Sequence, residues 1–316
     1  MREIGDSTVQ TIMTSPPYWD IKDYGDKNQI GLNDSYDAYL EKLLTVFSEC
    51  KRVLKSDGSM WINIDTINTG HDELVTVPFD LITKLRAIGL LLRDIIIWHN
   101  PIALPENVSY KLANKFEYVL LFTKHPRKFK FYKDSIREPH VTTTDKRKWR
   151  YNPKGKDPGN VWTINRIVYG QKEFSSHPAQ FPSELPRRII KLTSDFGDTV
   201  LDPFVGSGTT MMVARELRRN SVGFELNPAF FDMIKDRLMR MPGFRMPAIS
   251  KKRTLDRFVD TSLSLDIDTY DYKEDEFEVI QRRQVDSDSV VYSLAYTGIE
   301  EQSFKGKTTS TRKLTH

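Results

Sequence analysis

TVLDPFVGSGTTMMVARELRRNSVGFELNP, residues 199–228, reads as an apolar strand, a turn with two glycines, an amphipathic helix and a second strand. Gly206 and Gly208 follow the first strand and precede the helix, so backbone amides there can approach a ligand at a helix N-terminus. The turn is not a dinucleotide fingerprint, because Met211 stands where the third glycine would be, and no Gly-Lys-Ser/Thr follows to make a phosphate loop. A cofactor with ribose and amino acid parts is one alternative. For it, Asp202 at the strand end offers an acceptor to an ammonium group, and Glu225 at the end of the next strand offers one to ribose hydroxyls. The other alternative is a tight turn beside a strand-end acid.

The same alternation runs outward along the chain. Asn33, Asp34 or Ser35 can cap a helix whose apolar residues run from Tyr36 to Leu54, with Asp57 and Gly58 expected to end it. Strands are expected at 59–64, 91–98 and 116–122, the last two apolar and β-branched enough to be buried. A helix over 74–88 is closed by Gly89, and further helices are expected at 182–194, 209–219 and 227–240. Alternating strands and helices predict an α/β fold with a mostly parallel sheet, in which ligands bind beyond the carboxyl ends of the strands. Past Met241 the pattern changes, and stretches such as EFEVIQRRQ and SVVYSLAY suggest a small β-rich appendage or a partly disordered arm.

With 316 residues, 39% of them hydrophobic, the chain can bury a substantial core, and no apolar run approaches the ~18 residues of a membrane span. Met1 is not followed by a secretion signal, so a cytoplasmic location without membrane attachment is expected. The single cysteine, Cys50, excludes an intramolecular disulfide framework and falls on the apolar face of a helix, where a core role is expected. The six histidines show no metal-ligand spacing, so no metal is expected. Net charge is only +4, but it is concentrated between Lys124 and Lys156, where twelve Lys or Arg face three acids. Phe129, Phe131, Tyr132, Trp149 and Tyr151 are interleaved there, a mixture suited to phosphate contacts beside stacking on bases. Lys128, Lys130, Lys146, Arg147, Lys148 and Arg150 are the expected DNA contacts; a solvated loop with its aromatics turned inward is the competing reading.

A second motif lies near the start, in TIMTSPPYWD, residues 11–20. A proline-rich docking peptide of the PP-x-Y type would need tyrosine where Trp19 stands. Set beside DPFVGSGTT, the segment resembles the DNA amino-methyltransferase family, which pairs a (D/N/S)PP(Y/F/W) catalytic motif with an FxGxG motif for S-adenosylmethionine. Here these are Ser15-Pro16-Pro17-Tyr18 and Phe204-Val205-Gly206-Ser207-Gly208. The resemblance spans roughly residues 8–240, and the catalytic motif comes first, an order similar to the β group of the family.

The resemblance implies a Rossmann-like methyltransferase fold in permuted order: a catalytic half at 1–122, a target recognition insert at 123–170, a cofactor-binding half at 171–245 and an extension at 246–316. It implies that Asp202, Phe204, Gly206, Ser207, Gly208, Thr209 and Glu225 hold S-adenosylmethionine, with His177 and Gln180 of HPAQFP completing the methionine side. Ser15 and the Pro16 carbonyl, stiffened by Pro17, can accept both hydrogens of an exocyclic amine and draw its lone pair out of the ring, while Tyr18 stacks on a flipped base. No cysteine nucleophile is needed. In the family SPP(Y/F) usually goes with N4 of cytosine and DPPY with N6 of adenine, so Ser15 favours cytosine. The expected partner is double-stranded DNA, with room for a cognate restriction endonuclease, and the chain is expected as a monomer or homodimer. Alternatives are an N6-adenine enzyme, an RNA or protein-amide methyltransferase, and a non-catalytic nucleic-acid-binding relative. One departure stands out: the family usually carries a strand ending in Gly-Asp some twenty residues ahead of the catalytic motif, whereas Gly5-Asp6 lies only ten ahead of Pro16. The adenine-side strand is therefore expected to be absent or displaced, as in a truncated or late-started chain.

Overall fold

A computed structural model describes residues 1–2, 4–68, 73–102, 111–140, 152–168, 179–239, 280–284 and 290–296. In chain order the elements are β1 (Val9–Thr14), α1 (Tyr36–Val53), β2 (Leu54–Ile64), β3 (Ile67–Asn68), β4 (Leu74–Val75), α2 (Val77–Ala87), β5 (Leu91–His99), β6 (Phe116–Thr123), β7 (Val161–Thr163), α3 (Glu184–Thr193), β8 (Thr199–Asp202), α4 (Thr209–Glu216), β9 (Asn220–Glu225), α5 (Phe231–Met239), β10 (Ile280–Gln284) and β11 (Val290–Tyr296). The main sheet has the order β10-β11-β9-β8-β1-β2-β6-β5-β7. Its four central strands, β9, β8, β1 and β2, are mutually parallel, and antiparallel pairs occur only on the flanks. The α/β class and its parallel centre are as expected.

Chain order and sheet order differ, and that difference places the site. β1 lies between β2 and β8 although 184 residues separate Thr14 from the start of β8, so the Ser-Pro-Pro segment and the glycine turn leave the same edge of the sheet side by side. β1 is buried along its whole length, as a strand covered on both faces must be. On one face α1 and α2 cover it through Leu43, Phe47, Leu81 and Leu85; on the other α3 packs Leu185 and Ile189 against Met13 and Trp61.

Several boundaries move. Ser35 caps α1 by accepting from the Ala38 N–H, but the helix stops at Val53 and β2 begins at once, ahead of Asp57 and Gly58. Gly58 lies within β2, where a Cβ would come within 2.8 Å of the Gln10 carbonyl; the glycine serves a close strand approach rather than a helix stop. α2 is shorter than the expected 74–88, because Leu74 and Val75 pair with β3 and Pro78 favours a helix start there. Gly89, at φ +86°, closes it as expected, with Leu90 N–H on Leu85 O and Gly89 N–H on Arg86 O. β5 is not a buried strand: among its residues only Ile96 and Trp98 are buried, since it lies near the sheet edge with β7 as its outer neighbour. β7, which periodicity did not reveal, comes from the 123–170 segment and pairs parallel to β5.

Of the tail, the described residues 280–284 and 290–296 join the main sheet, since β11 pairs antiparallel with β9 and β10 with β11; the rest of it lies outside the described residues. Gly5 and Asp6 lie in a turn ahead of β1, with Asp6 on Arg52. Cys50 is fully buried on α1, and burial pushes its thiol well up. Among the described residues no helix is long and apolar enough to cross a membrane.

Candidate active site

Two cavities open at the carboxyl ends of the central strands. The first, about 320 Å³, lies between the turn after β8 and the residues after β9. Gly206 (φ +52°) and Gly208 (φ +79°) take left-handed conformations that favour glycine. Gly208 also faces Ile234 of α5, which a Cβ would approach to 3.1 Å. Glu225 sits at the floor, its two oxygens accepting the N–H groups of Gly206 (2.8 Å) and Asn227 (2.9 Å). Burial outweighs those hydrogen bonds and pushes its carboxyl up to about 7. Phe204, Ser207 and Gln180 line the same cavity, as do Tyr24, Gln29 and Asn227, which sequence reasoning passed over. Asn227 Nδ2 donates to the Tyr24 carbonyl (2.6 Å) and so ties the loop after β1 to the end of β9.

Asp202, expected to face an ammonium group, stands behind this wall. It is 1% exposed, accepts from Thr14 Oγ1 (2.7 Å) and the Phe204 N–H (3.0 Å), and is raised by burial to about 6. Its Oδ2 and the nearby Thr210 hydroxyl are buried without a well-formed hydrogen bond. Thr209 also turns from the cavity, its hydroxyl held by Arg237 at 2.9 Å. Gly208 starts α4 beside it, while His177 lies outside the described residues.

The second cavity, about 740 Å³, shares Ser15, Ala179, Gln180 and Phe181 with the first. Pro16 and Pro17 face the first cavity and Tyr18 the second. The turn is fixed from behind: Tyr39 Oη donates to the Pro17 carbonyl (2.9 Å), and Trp19 donates to the Asp34 carbonyl (2.8 Å) with its ring 5.1 Å from Tyr36. Of the two adjacent aromatics, Trp19 is therefore an anchor and Tyr18 the cavity surface. Tyr18 Oη donates to Glu117 Oε2 (3.0 Å), which also accepts from Asn63 Nδ2 (2.7 Å). Burial raises the Tyr18 phenol well above its usual range and also raises the Glu117 carboxyl. Asp65, beside them and held by Asn114 (2.6 Å), is pushed up to about 7 by burial and the neighbouring Glu117 charge.

Asn63, Asp65 and Glu117 were not singled out in the sequence. They sit at strand ends whose apolar neighbours account for the local pattern, and only the register of β2 on β6 brings them together. An acid leading an apolar strand, as in FEYVLLF, was the available signal.

The basic segment is used differently from expectation. Lys130, one of the expected DNA contacts, has its Nζ 2.6 Å from Asp198 and 2.8 Å from Asp195 and its N–H on the Asp57 carbonyl, so it fastens the segment to the core. Lys133 pairs with Asp157, and Arg137 and Lys154 share Asp134. Lys128 is exposed. Lys146, Arg147, Lys148 and Arg150 lie outside the described residues. Among the described residues no group of three or more His, Cys, Asp or Glu is placed to hold a metal ion.

A parallel-centred sheet with a glycine turn after one strand, an acid ending the next and a second cavity across a Ser-Pro-Pro turn define a Rossmann-like methyltransferase fold. Known proteins agree. A family model described as DNA methylase, of the N6 and N4 methyltransferases, matches residues 9–236, and the chain belongs to that family. The Type II methyltransferase M.Cfr9I of Citrobacter freundii is 34% identical over 272 residues, 75% of this chain and 84% of that protein. M.SmaI of Serratia marcescens is 34% identical over 257 residues, 72% and 84% of the two chains. Among solved structures, the cytosine-N4-specific PvuII DNA methyltransferase superposes with a TM-score of 0.60 over 75% of this chain and 81% of that one; at 22% identity the likeness is one of fold. Thermus thermophilus TTHA0409, solved in complex with S-adenosyl-L-methionine, is 27% identical with a TM-score of 0.54 over 77% and 90%.

Proposed function

We propose that this chain moves a methyl group from S-adenosylmethionine to N4 of a cytosine flipped out of double-stranded DNA, as the modification enzyme of a restriction-modification system. One observation carries the reading: Ser15 belongs to the walls of both cavities, so a group seated over the glycine turn and a base seated on Tyr18 would meet at its hydroxyl. The first cavity fits the cofactor. The left-handed backbone at Gly206 and the Glu225 carboxyl line it on the side of β8 and β9, and Gln29 and Asn227 add polar groups to the same wall, while Asp202 braces the turn from behind through the Phe204 N–H. When bound there, the cofactor supplies a methyl group on a sulfonium.

The chain's own residues do the rest. Ser15 Oγ and the Pro16 carbonyl accept the two amine hydrogens and localise the nitrogen lone pair, while Tyr39 keeps the proline turn from yielding by holding the Pro17 carbonyl. Tyr18 gives the extruded ring an aromatic face and offsets part of the few kcal/mol lost in unstacking. Methylation leaves a surplus proton on the amine nitrogen. Asp65 lines the same cavity with a carboxyl near 7, suited to taking that proton at neutral pH. A hydroxyl at position 15 in place of a carboxylate supports cytosine as the target, and the Type II names of the relatives support the restriction-modification role.

The test is transfer of labelled methyl from S-adenosylmethionine to unmethylated genomic DNA, followed by digestion to nucleosides and mass analysis. N4-methylcytosine is the expected product. N6-methyladenine alone would overturn the base assignment, and no transfer at saturating cofactor would overturn the enzyme reading.

A further inference from the structure

The inner end of the second cavity is better equipped than stacking on Tyr18 requires. Glu117 Oε2 already accepts two hydrogen bonds, from Tyr18 Oη at 3.0 Å and Asn63 Nδ2 at 2.7 Å. Its other oxygen makes no hydrogen bond among the described residues, and Glu117 lines the cavity. Asn63 Oδ1 is buried without a partner close by. With both donors on one oxygen, a proton on this carboxyl belongs on Oε1, directed at whatever fills the cavity.

A base whose amine is held at Ser15 presents its next ring atom alongside. In cytosine that atom is N3 and in adenine N1, both acceptors; in thymine and guanine the corresponding position carries N–H, a donor. A neutral carboxyl matches the first pair, and an ionised one matches the second. We propose that Glu117 reads the target base in its acid form, donating from Oε1 to the ring nitrogen beside the amine and rejecting bases that carry a hydrogen there. The inference rests on the second cavity being the base pocket.

The surroundings favour the acid form. Burial is the main influence on Glu117 and raises its carboxyl; the hydrogen bonds from Asn63 and Tyr18 and the Lys22 ammonium, which lies 5.8 Å from the Tyr18 ring centre, pull it back only in part. Asp65 just past β2 brings a second carboxyl to the same cavity, and the two repel when both are ionised, so a proton held by Glu117 leaves Asp65 free to carry the charge. Lys115 and Arg166 line the outer wall of the cavity. A neutral carboxylic acid used as a donor is a known device in sites that exclude water.

Glu117→Gln separates the two protonation states. Glutamine keeps an oxygen for Tyr18 and Asn63 and places a permanent N–H₂ donor where the acid proton would be. The measurement is kcat/KM for methyl transfer between pH 6 and 10 for the unaltered chain, E117Q and Glu117→Ala, on a duplex carrying the target sequence, first located by sequencing DNA that the unaltered chain has methylated, and on the same duplex with 3-deazacytosine, which lacks the ring acceptor, at the target. The unaltered chain is expected to lose activity as pH rises through the Glu117 titration and to discriminate against the deaza base by about 10- to 100-fold. E117Q should keep activity within a few-fold and lose that alkaline limb, and E117A should lose activity on cytosine and no longer distinguish the deaza base. An inactive E117Q that still binds cofactor and melts normally would show that the anion is the working form and overturn the proposal. Equal activity of the unaltered chain on both bases would overturn it too. Failure to methylate ordinary DNA at all is a different result and counts against the function, not against Glu117.

Discussion

The two cavities that meet at Ser15 are built in different ways. The side proposed for the cofactor is shaped mainly by local backbone: two left-handed glycines after β8 and, at the end of β9, a Glu225 carboxyl held by the N–H groups of Gly206 and Asn227. The side proposed for the base is mainly side chain: Tyr18 after β1, Asn63 at the end of β2 and Glu117 at the start of β6, joined by long-range hydrogen bonds, with Asp65 beside them. A general nucleotide-like group can be held by backbone geometry that tolerates much sequence change. A particular base must be read by donors and acceptors in fixed places, which takes side chains from several elements.

The comparison breaks most sharply at the shared wall. Ser15→Ala removes an acceptor from the amine and should lower kcat by about 100- to 1000-fold. Cofactor affinity, measured by calorimetry, should stay within a few-fold; a parallel loss of both would mean the cavities are not separable. On the cofactor side alone, Glu225→Ala removes the carboxylate at the floor and should weaken cofactor binding by about 10- to 100-fold. Turnover at saturating cofactor should be nearly kept. A smaller effect concerns the tie between the basic segment and the core. Lys130→Met breaks the pairs with Asp195 and Asp198 and should cost about 1 kcal/mol in urea unfolding, a modest figure because Asp195 is half exposed and solvent screens it. DNA affinity at fixed salt should hardly change; a marked fall would restore Lys130 as a DNA contact.

A further effect is one of pH. Glu225 is protonated below about 7 and then offers one fewer acceptor to ribose hydroxyls, so cofactor affinity should rise as pH increases through 7, by up to about tenfold. Glu225→Gln should flatten that dependence, and a profile that persists in the variant would assign it to another group.

Residues 199–228 carried most of what was legible in advance. Glycine, a strand-end acid and helical spacing are local signals, and the strand, turn, helix and strand read there appear at β8, α4 and β9. The Ser-Pro-Pro turn was legible for the same reason, since proline fixes its backbone wherever it stands. Charge density was a weaker guide. It left 124–156 open between a nucleic-acid surface and a solvated loop, and of its charges Lys130, Lys133, Arg137 and Lys154 pair with acids, because composition counts charges without saying which way they point. The edges were read least well. β7, of three residues, is too short to show a period, and the hairpin β10–β11 belongs to the main sheet through pairing with β9 that nothing in its own pattern announces.

By itself the sequence determined the α/β class, the glycine turn with Glu225 and the stiff turn presenting Ser15 and Tyr18, since each depends on residues adjacent in the chain. Only the tertiary structure decided that those turns share a sheet edge, that Trp19 anchors while Tyr18 faces the cavity, and that Glu117 stands against Tyr18 and Asn63. The reason is strand register. The pairing of Asn63 with Val119 puts Glu117, two residues along β6, on the same face as Asn63, and a shift of one residue would turn that carboxyl to the other side of the sheet.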